Sequence, residues 1–307
     1  MSMRSISMTA TAAMLFFALS AGSQDPKTAR YIDAHVHVWT PDIVRYPLAP
    51  GHTKENMKPA SFTPEELFKH CKPAGVGRIA LIQMSFYGFD NSYMLDMIAK
   101  YPAIFVGTAV INPLGKDPAR EMDELAKKGV RAFRIVPKFT DQPIDNWLRG
   151  EGYTKMFTAG ARYNQAMACL IGPDAVPDLD RMCTEHPNTP VIIDHLARIG
   201  ADGTIRDDDV NRLCAMAKHK KVMVKIGAFY ALGKKQAPYD DLAPLIKKVV
   251  TAFGPNRCMW ESDCPFQVQG KHTYQASIDL IHRLEFLSNA DKDWLLRKTA
   301  EEFFFGR

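Results

Sequence analysis

The chain has 307 residues, 46% hydrophobic and 24% charged, and its 39 Lys and Arg exceed its 34 Asp and Glu for a net charge of +5. These fractions exclude a collagen-like or coiled-coil chain and disorder over most of the length. A chain this long buries roughly 75% of its extended surface, enough to fold without a disulfide or a metal. The lysine pairs Lys127-Lys128, Lys234-Lys235 and Lys247-Lys248 and the Lys218-His219-Lys220-Lys221 run are scattered, with no basic stripe. Nucleic acid is therefore not an expected partner; a small molecule is, and a homo-oligomer is left open. Cys71, Cys169, Cys183, Cys214, Cys258 and Cys264 show irregular spacing and no C-x-x-C, and read as free, mostly buried thiols.

Residues 1–23 differ from the rest. Arg4 precedes the uncharged run AAMLFFAL from Ala12 to Leu19, and Ala21 and Ser23 supply small residues before Gln24-Asp25-Pro26. This is the layout of a secretory signal peptide cleaved after Ser23, and the run is too short for a membrane span, which needs about 20 apolar residues. The expected product is an exported, periplasmic or secreted protein of one domain over residues 24–307.

From there the chain alternates. Apolar or β-branched runs at Tyr31–Val38, Arg78–Ser85, Ile104–Asn112, Val130–Val136, Gln165–Ile171, Pro190–Leu196, Lys221–Gly227 and Arg257–Asp263 predict eight strands. Helical patterns follow each of them, at Pro64–Cys71, Asn91–Tyr101, Asp117–Lys128, Tyr153–Arg162, Val176–Glu185, Asp207–His219, Asp240–Phe253 and Tyr274–Leu287. A ninth, Ala290–Phe305, starts from Ser288 or Asn289. Strand-then-helix repeated eight times predicts an α/β fold, a parallel (β/α)8 TIM barrel in a single domain. No glycine-rich nucleotide motif occurs, and the longest connection, Trp39 to Thr63, follows the first strand.

In such a barrel the chemistry sits at the C-terminal strand ends. The first strand ends in Asp33-Ala34-His35-Val36-His37. His35 and His37 share parity, so both point inward, where two imidazoles suit a metal or a substrate carbonyl; Asp33 is expected one layer below, orienting them. The sixth ends in Asp194-His195, with His195 inward alongside Val191 and Ile193 and Asp194 facing away. The eighth ends in Glu261-Ser262-Asp263, where Asp263 can take a proton from water and the deeper Glu261 needs a partner, for which Lys225 is the candidate. Arg134 on the fourth strand suits a substrate carboxylate. Gln83, Ser85, Tyr87, Asp90 and Asn91 after the second strand read as contacts to substrate hydroxyls.

Together the segments DAHVHVW, QMSFYGFDNSYML, GVRAFRIVP, VIIDHLA, VMVKIGAFYAL and MWESDCPF resemble the amidohydrolase superfamily. Within it they are similar to the amidohydrolase-related branch of pyrone-dicarboxylate and sugar-acid lactonases, in order over residues 31–307. The resemblance implies a distorted (β/α)8 barrel of the metal-dependent-hydrolase type that hydrolyses a cyclic ester, with His35, His37, His195 and Asp263 as the active-site core. Metal-dependent members usually add a fourth-strand Lys or Glu and a fifth-strand His. Here those strands offer Arg134 and no His, leaving Cys169 as the only soft donor on the fifth. The cofactor expected is therefore none, or one divalent metal such as zinc or manganese on His35, His37 and Asp263, and not a dinuclear centre. The family's usual Trp after the Asp is Cys264, and its usual Gly before the Ser is Glu261. The implied function is a lactonase-like hydrolase; a metal-dependent decarboxylase of the same superfamily and a non-catalytic ligand-binding barrel are the alternatives.

Overall fold

The computed structural model describes residues 29–139, 142–143 and 147–306. The expected leader, residues 1–23, lies outside the described residues. Eight parallel strands form one sheet in chain order: β1 (Tyr31–Val36), β2 (Val76–Ile82), β3 (Phe105–Ala109), β4 (Val130–Ile135), β5 (Ala166–Cys169), β6 (Val191–Ile193), β7 (Val222–Gly227) and β8 (Cys258–Glu261). The ring closes through a parallel bridge between Val36 and Cys264. There the His37 N–H donates to the Cys264 carbonyl at 2.8 Å, and the Asp263 N–H to the His35 carbonyl at 3.0 Å. This is the (β/α)8 barrel that the alternation predicts. Among the described residues no helix is long and apolar enough to cross a membrane.

The helices lie outside the ring: α1 (Pro64–Cys71), α2 (Ser92–Lys100), α3 (Pro118–Ala126), α4 (Glu151–Tyr163), α5 (Val176–Glu185), α6 (Asp207–Ala215), α7 (Ala243–Phe253) and α8 (Tyr274–Arg283). Their starts follow local chemistry. At α1 the Glu66 N–H donates to Thr63 Oγ1 and Thr63 N–H to Glu66 Oε2, a capping box, with Pro64 in the first turn. Ser288 caps the last helix, α9 (Asn289–Asp293), in the same way, and the chain continues as two π-helical turns to Phe305. Phe303 and Phe304 of that segment join Ile32, Ala80, Val106 and Ile192 inside the barrel and close its lower end. Arg78 pairs there with Glu301 and lies over the Phe305 ring.

Two strand ends, those of β1 and β6, depart from simple alternation, and β5 keeps it. On β1, Ile32 and Ala34 face the interior while Tyr31 and Val36 pack against the helices. The register runs Asp33 to Ile79 but Val36 to Leu81, three steps against two. This bulge turns both Ala34 and His35 inward. Asp33 therefore faces the helix layer and not the interior layer beneath the histidines. Its Oδ1 accepts from the backbone N–H of His35 (3.1 Å) and of Ser262 (2.9 Å), and Tyr274 of α8 donates to Oδ2. It orients the histidine strand from outside, through the backbone. On β6, Val191 and Ile193 also face the helices, and the strand stops at Ile193. Asp194 points inward instead of away. His195 to Arg198 then take left-handed φ of 53°, 52°, 54° and 56°, which swings the His195 ring into the mouth by a route alternation does not foresee. On β5, Ala166 and Ala168 face inward and Cys169 faces the helices, its thiol toward the Met167 carbonyl. Cys169 cannot serve as a ligand in the barrel.

β7 leaves no room for a side chain at Gly227, which is paired in register with Glu261. A Cβ on Gly227 would overlap Glu261 Cγ and its carbonyl oxygen. Backbone cannot yield as a side-chain tip can. Gly227→Ala should therefore cost about 3 kcal/mol or more, the upper end for overpacking. Urea unfolding of the pure protein measures it, and a loss under about 1 kcal/mol would show that the β7–β8 contact relaxes freely.

Candidate active site

The expected site residues His35, His37, His195 and Asp263 are brought together at the C-terminal mouth. The His35 and His37 Nε2 atoms are 3.2 Å apart. Asp263 Oδ1 lies 3.2 Å from His37 Nε2 and 3.6 Å from His35 Nε2, and Asp263 Oδ2 lies 3.9 Å from His195 Nε2. Asp263 sits at φ 60°, just past the end of β8, which turns its carboxylate back over the barrel. A neighbour that the sequence reading did not single out, Tyr230, donates its hydroxyl to Asp263 Oδ2 at 2.6 Å. It lies three residues past β7, and that strand-end placement was its only signal.

A second layer sits directly beneath. Glu261 Oε1 accepts from both the ring Nδ1 (2.6 Å) and the backbone N–H (3.2 Å) of His195, while Oε2 lies 3.0 Å from His35 Nδ1. Lys225, fully buried, is 3.0 Å from Asp194 Oδ1 and 3.1 Å from His35 Nδ1. The expected Lys225–Glu261 pair is therefore not the one formed. Lys225 stands in register with Met259, one inward step below Glu261, and its ammonium meets Asp194 instead. Arg134 Nη2 approaches the other Asp194 oxygen at 3.9 Å.

Burial and charge set the protonation of this cluster. Burial alone would raise the carboxyl of Asp263, but His195, with His37 and His35 beside it, holds it well below the usual carboxylate range. Burial likewise works against Asp194, and Lys225, then His35 and Arg134, hold it well below its ordinary value. Burial lowers His37 to about 4, so its imidazole is neutral near pH 7. Its Nδ1 lies 2.9 Å from the Ile82 carbonyl, which can only accept; the proton is on Nδ1, and the Nε2 lone pair faces Asp263 and His35. His195 feels burial first, which lowers it, but Glu261 and Asp263 outweigh that and raise it.

The cluster opens into a cavity of about 640 Å³. Gln83, Ser85 and Arg134 line it, as do His37, His195, Asp263 and Tyr230. His52 from the long first loop, Arg198 and Lys235 were not foreseen and line it too. Tyr87 and Asn91 do not. The Tyr87 hydroxyl accepts from the Thr40 N–H at 3.4 Å, and the Asn91 side chain is spent on both backbone groups of Val110. Asp90 Oδ1 accepts from the Ser92 N–H at the start of α2, at 2.9 Å. These three hold the second-strand loop in place and do not line the cavity.

His35 Nε2, His37 Nε2 and Asp263 Oδ1 form a triangle with sides of 3.2, 3.2 and 3.6 Å. Ligands at about 2.0–2.1 Å in a tetrahedral shell stand at a similar spacing, and the cavity leaves a fourth direction open. Asp263 Oδ1 is buried and accepts no well-aligned hydrogen bond. The residues present can therefore hold one divalent ion.

Comparison with known proteins agrees with this fold. The amidohydrolase family model matches residues 32–306. The L-fucono-1,5-lactonase of Burkholderia ambifaria is 24% identical over 238 residues, covering 76% of this chain and 80% of that one. An Acinetobacter baumannii protein assigned as a 2-pyrone-4,6-dicarboxylic acid hydrolase, solved with citric acid bound, shares the fold at TM-score 0.75 and 21% identity, over 90% of this chain and 99% of that one. An amidohydrolase from Burkholderia multivorans, solved with zinc bound, does so at TM-score 0.73 and 18% identity, over 89% and 98%.

The buried Lys225–Asp194 pair generates a prediction. Lys225→Met leaves Asp194 with its principal cation gone and should destabilise the fold by about 3–5 kcal/mol. The double variant Lys225→Met with Asp194→Leu removes both charges and should recover most of that loss. Denaturant unfolding of the two variants checks it; equal losses in both would mean that packing, not charge, sets the cost.

Proposed function

The chain belongs to the amidohydrolase family, and from that premise we propose that it is a lactonase, a hydrolase that opens a cyclic ester by attack of water. The observation that carries this reading is the Asp263 carboxylate, held ionised at the cavity floor with Tyr230 on one oxygen and His37 and His195 beside it. The likeness to a sugar-acid lactonase supports it.

In this mechanism Asp263 takes a proton from a water molecule as the water oxygen attacks the lactone carbonyl carbon. The carbonyl oxygen becomes an oxyanion beside His195, whose raised pKa favours the charged, donating imidazole. Collapse breaks the ring C–O bond, and Asp263 returns the proton to the departing oxygen, giving a hydroxy acid. Tyr230 fixes the rotation of the Asp263 carboxylate. His35, His37 and Asp263 are the residues that would hold a zinc or manganese ion, and such an ion would add polarisation of the carbonyl and a more acidic water. A second ion is not expected, because the Lys225 ammonium already occupies the space beside Asp194 and His35.

The cavity also bears on the substrate. Arg134, Arg198, Lys235 and His52 line it, and among the described residues Asp263 is its sole acidic lining residue. That imbalance favours a lactone carrying a carboxylate over a neutral sugar lactone, with Gln83 and Ser85 left for its hydroxyl or ring oxygens. A decarboxylase would also accept a carboxylate. It is distinguished by its product, carbon dioxide and a shortened acid in place of a ring-opened one.

Asp263→Asn keeps the shape but removes the base. Assayed with zinc supplied against a panel of carboxylated and neutral lactones, it should lose roughly 100-fold or more in kcat, with KM changed little. Zinc binding to the wild type should saturate at one equivalent per chain. Near-normal turnover in the variant would overturn the role of Asp263, and two equivalents of zinc would overturn the mononuclear site.

The same reading includes export. Its support is the apolar run Ala12–Leu19 followed by Ala21 and Ser23. Mass spectrometry of the protein from its host should find a mature chain starting at Gln24; an intact Met1 would end this part of the proposal.

A further inference from the structure

We propose that Glu261 is the positioning residue of this site: it holds the His195 ring and backbone together, so that Nε2 is the atom presented to the substrate. The inference rests on the location of the active site argued above, and it assigns a role to a residue that does not line the cavity.

Three observations converge on it. Glu261 is fully buried, and Oε1 accepts from two groups of one residue, the His195 ring Nδ1 at 2.6 Å and its backbone N–H at 3.2 Å. Those two contacts fall on the first residue of the left-handed run His195–Arg198, a conformation that L-residues rarely adopt and that persists only where surrounding contacts impose it. The same carboxylate therefore holds both the unusual backbone and the ring that it aims. The strand opposite is built for it: the register partner of Glu261 is Gly227, and the Glu261 side chain fills the space that any Cβ there would need.

The chemical consequence follows from donor and acceptor roles. A carboxylate can only accept, so the proton shared with it lies on His195 Nδ1. Nε2 is then the atom turned toward Asp263 and the cavity. Without Glu261 the ring could rotate about its Cβ or exchange the two nitrogens, and a fraction of molecules would present the wrong atom. Glu261 acts through His195 and touches neither water nor lactone. Its second oxygen lies 3.0 Å from His35 Nδ1, which adds electrostatic restraint to the neighbouring ring.

The test uses the full-length mature protein and Glu261→Gln, which keeps the size of the side chain. In the wild type, nitrogen NMR of the imidazoles should find His195 Nδ1 protonated, with a far-downfield proton for the short bond to Glu261. Glu261→Gln should lose that proton signal and lower kcat by about 10–100-fold with KM changed less than about 3-fold, the scale found when an outer partner of a functional histidine is removed. A merely structural role would lower the melting temperature but leave kcat and the proton signal of the folded protein as they were. An unprotonated His195 Nδ1 in the wild type overturns the proposal without any variant, even if Glu261→Gln fails to fold. So does a Glu261→Gln variant within about twofold of wild-type kcat. If the wild type opens no lactone at all, the functional reading fails, while the NMR result still decides the role of Glu261.

Discussion

Three carboxylates, Asp194, Glu261 and Asp263, are buried at one end of the barrel, and the rest of the site depends on neutralising them. An isolated buried charge costs several kcal/mol, so each must meet a cation or a strong donor. Asp194 meets Lys225, Glu261 meets the His195 ring with His35 beside its other oxygen, and Asp263 meets His195 and the Tyr230 hydroxyl. The acids stand at the ends of β6 and β8, and their partners come from β1, β7 and the turns after β6 and β7. No pair is local in the chain, and the contacts of His35 and His37 with the β8 acids form only when the first and last strands are side by side. Barrel closure therefore completes the charged cluster.

The backbone irregularities belong to the same constraint. The β1 bulge turns His35 inward directly after Ala34, the left-handed run at His195–Arg198 follows β6, and Asp263 and Ala228 take positive φ just past β8 and β7. Each such residue costs on the order of 1–3 kcal/mol and is retained only where neighbours impose it. The neighbours are identifiable. Asp33 bonds the His35 and Ser262 N–H groups from the helix side, and Glu261 bonds the His195 N–H from within. The departures cluster where strand ends must stop alternating and begin converging.

Above the cluster the electrostatics reverse. The buried layer is rich in carboxylates, while among the described residues the cavity wall carries Arg134, Arg198, Lys235 and His52 against a single Asp263. In the lactonase mechanism proposed above, that wall would draw an anionic substrate onto an ionised base and a histidine whose pKa is raised. The two layers would then serve different steps: the wall binds, and the floor moves the proton.

The architecture is legible in the sequence. Eight apolar runs alternating with amphipathic ones have few ways to bury their surfaces, and the capping signals at Thr63 and Ser288 are local chemistry that tertiary contacts do not overrule. The sequence also picks out His35, His37, His195 and Asp263, because polar residues that abruptly end apolar strands are legible one strand at a time. What it could not supply was direction and partnership. Strand parity places Asp33 inward, and it faces out; it places Asp194 outward, and it faces in. Alternation holds only within a regular ladder, and a one-residue bulge or a left-handed turn resets it. Strand adjacency suggests Glu261 as the partner of Lys225, yet the β7–β8 register sets Glu261 against Gly227 and leaves the ammonium to Asp194. Tyr87 and Asn91, polar residues after a strand, turned out to bond backbone. Register, facing and the pairing of buried charges depend on residues as far apart as Asp33 and Tyr274, 241 positions, and these are set when the barrel closes.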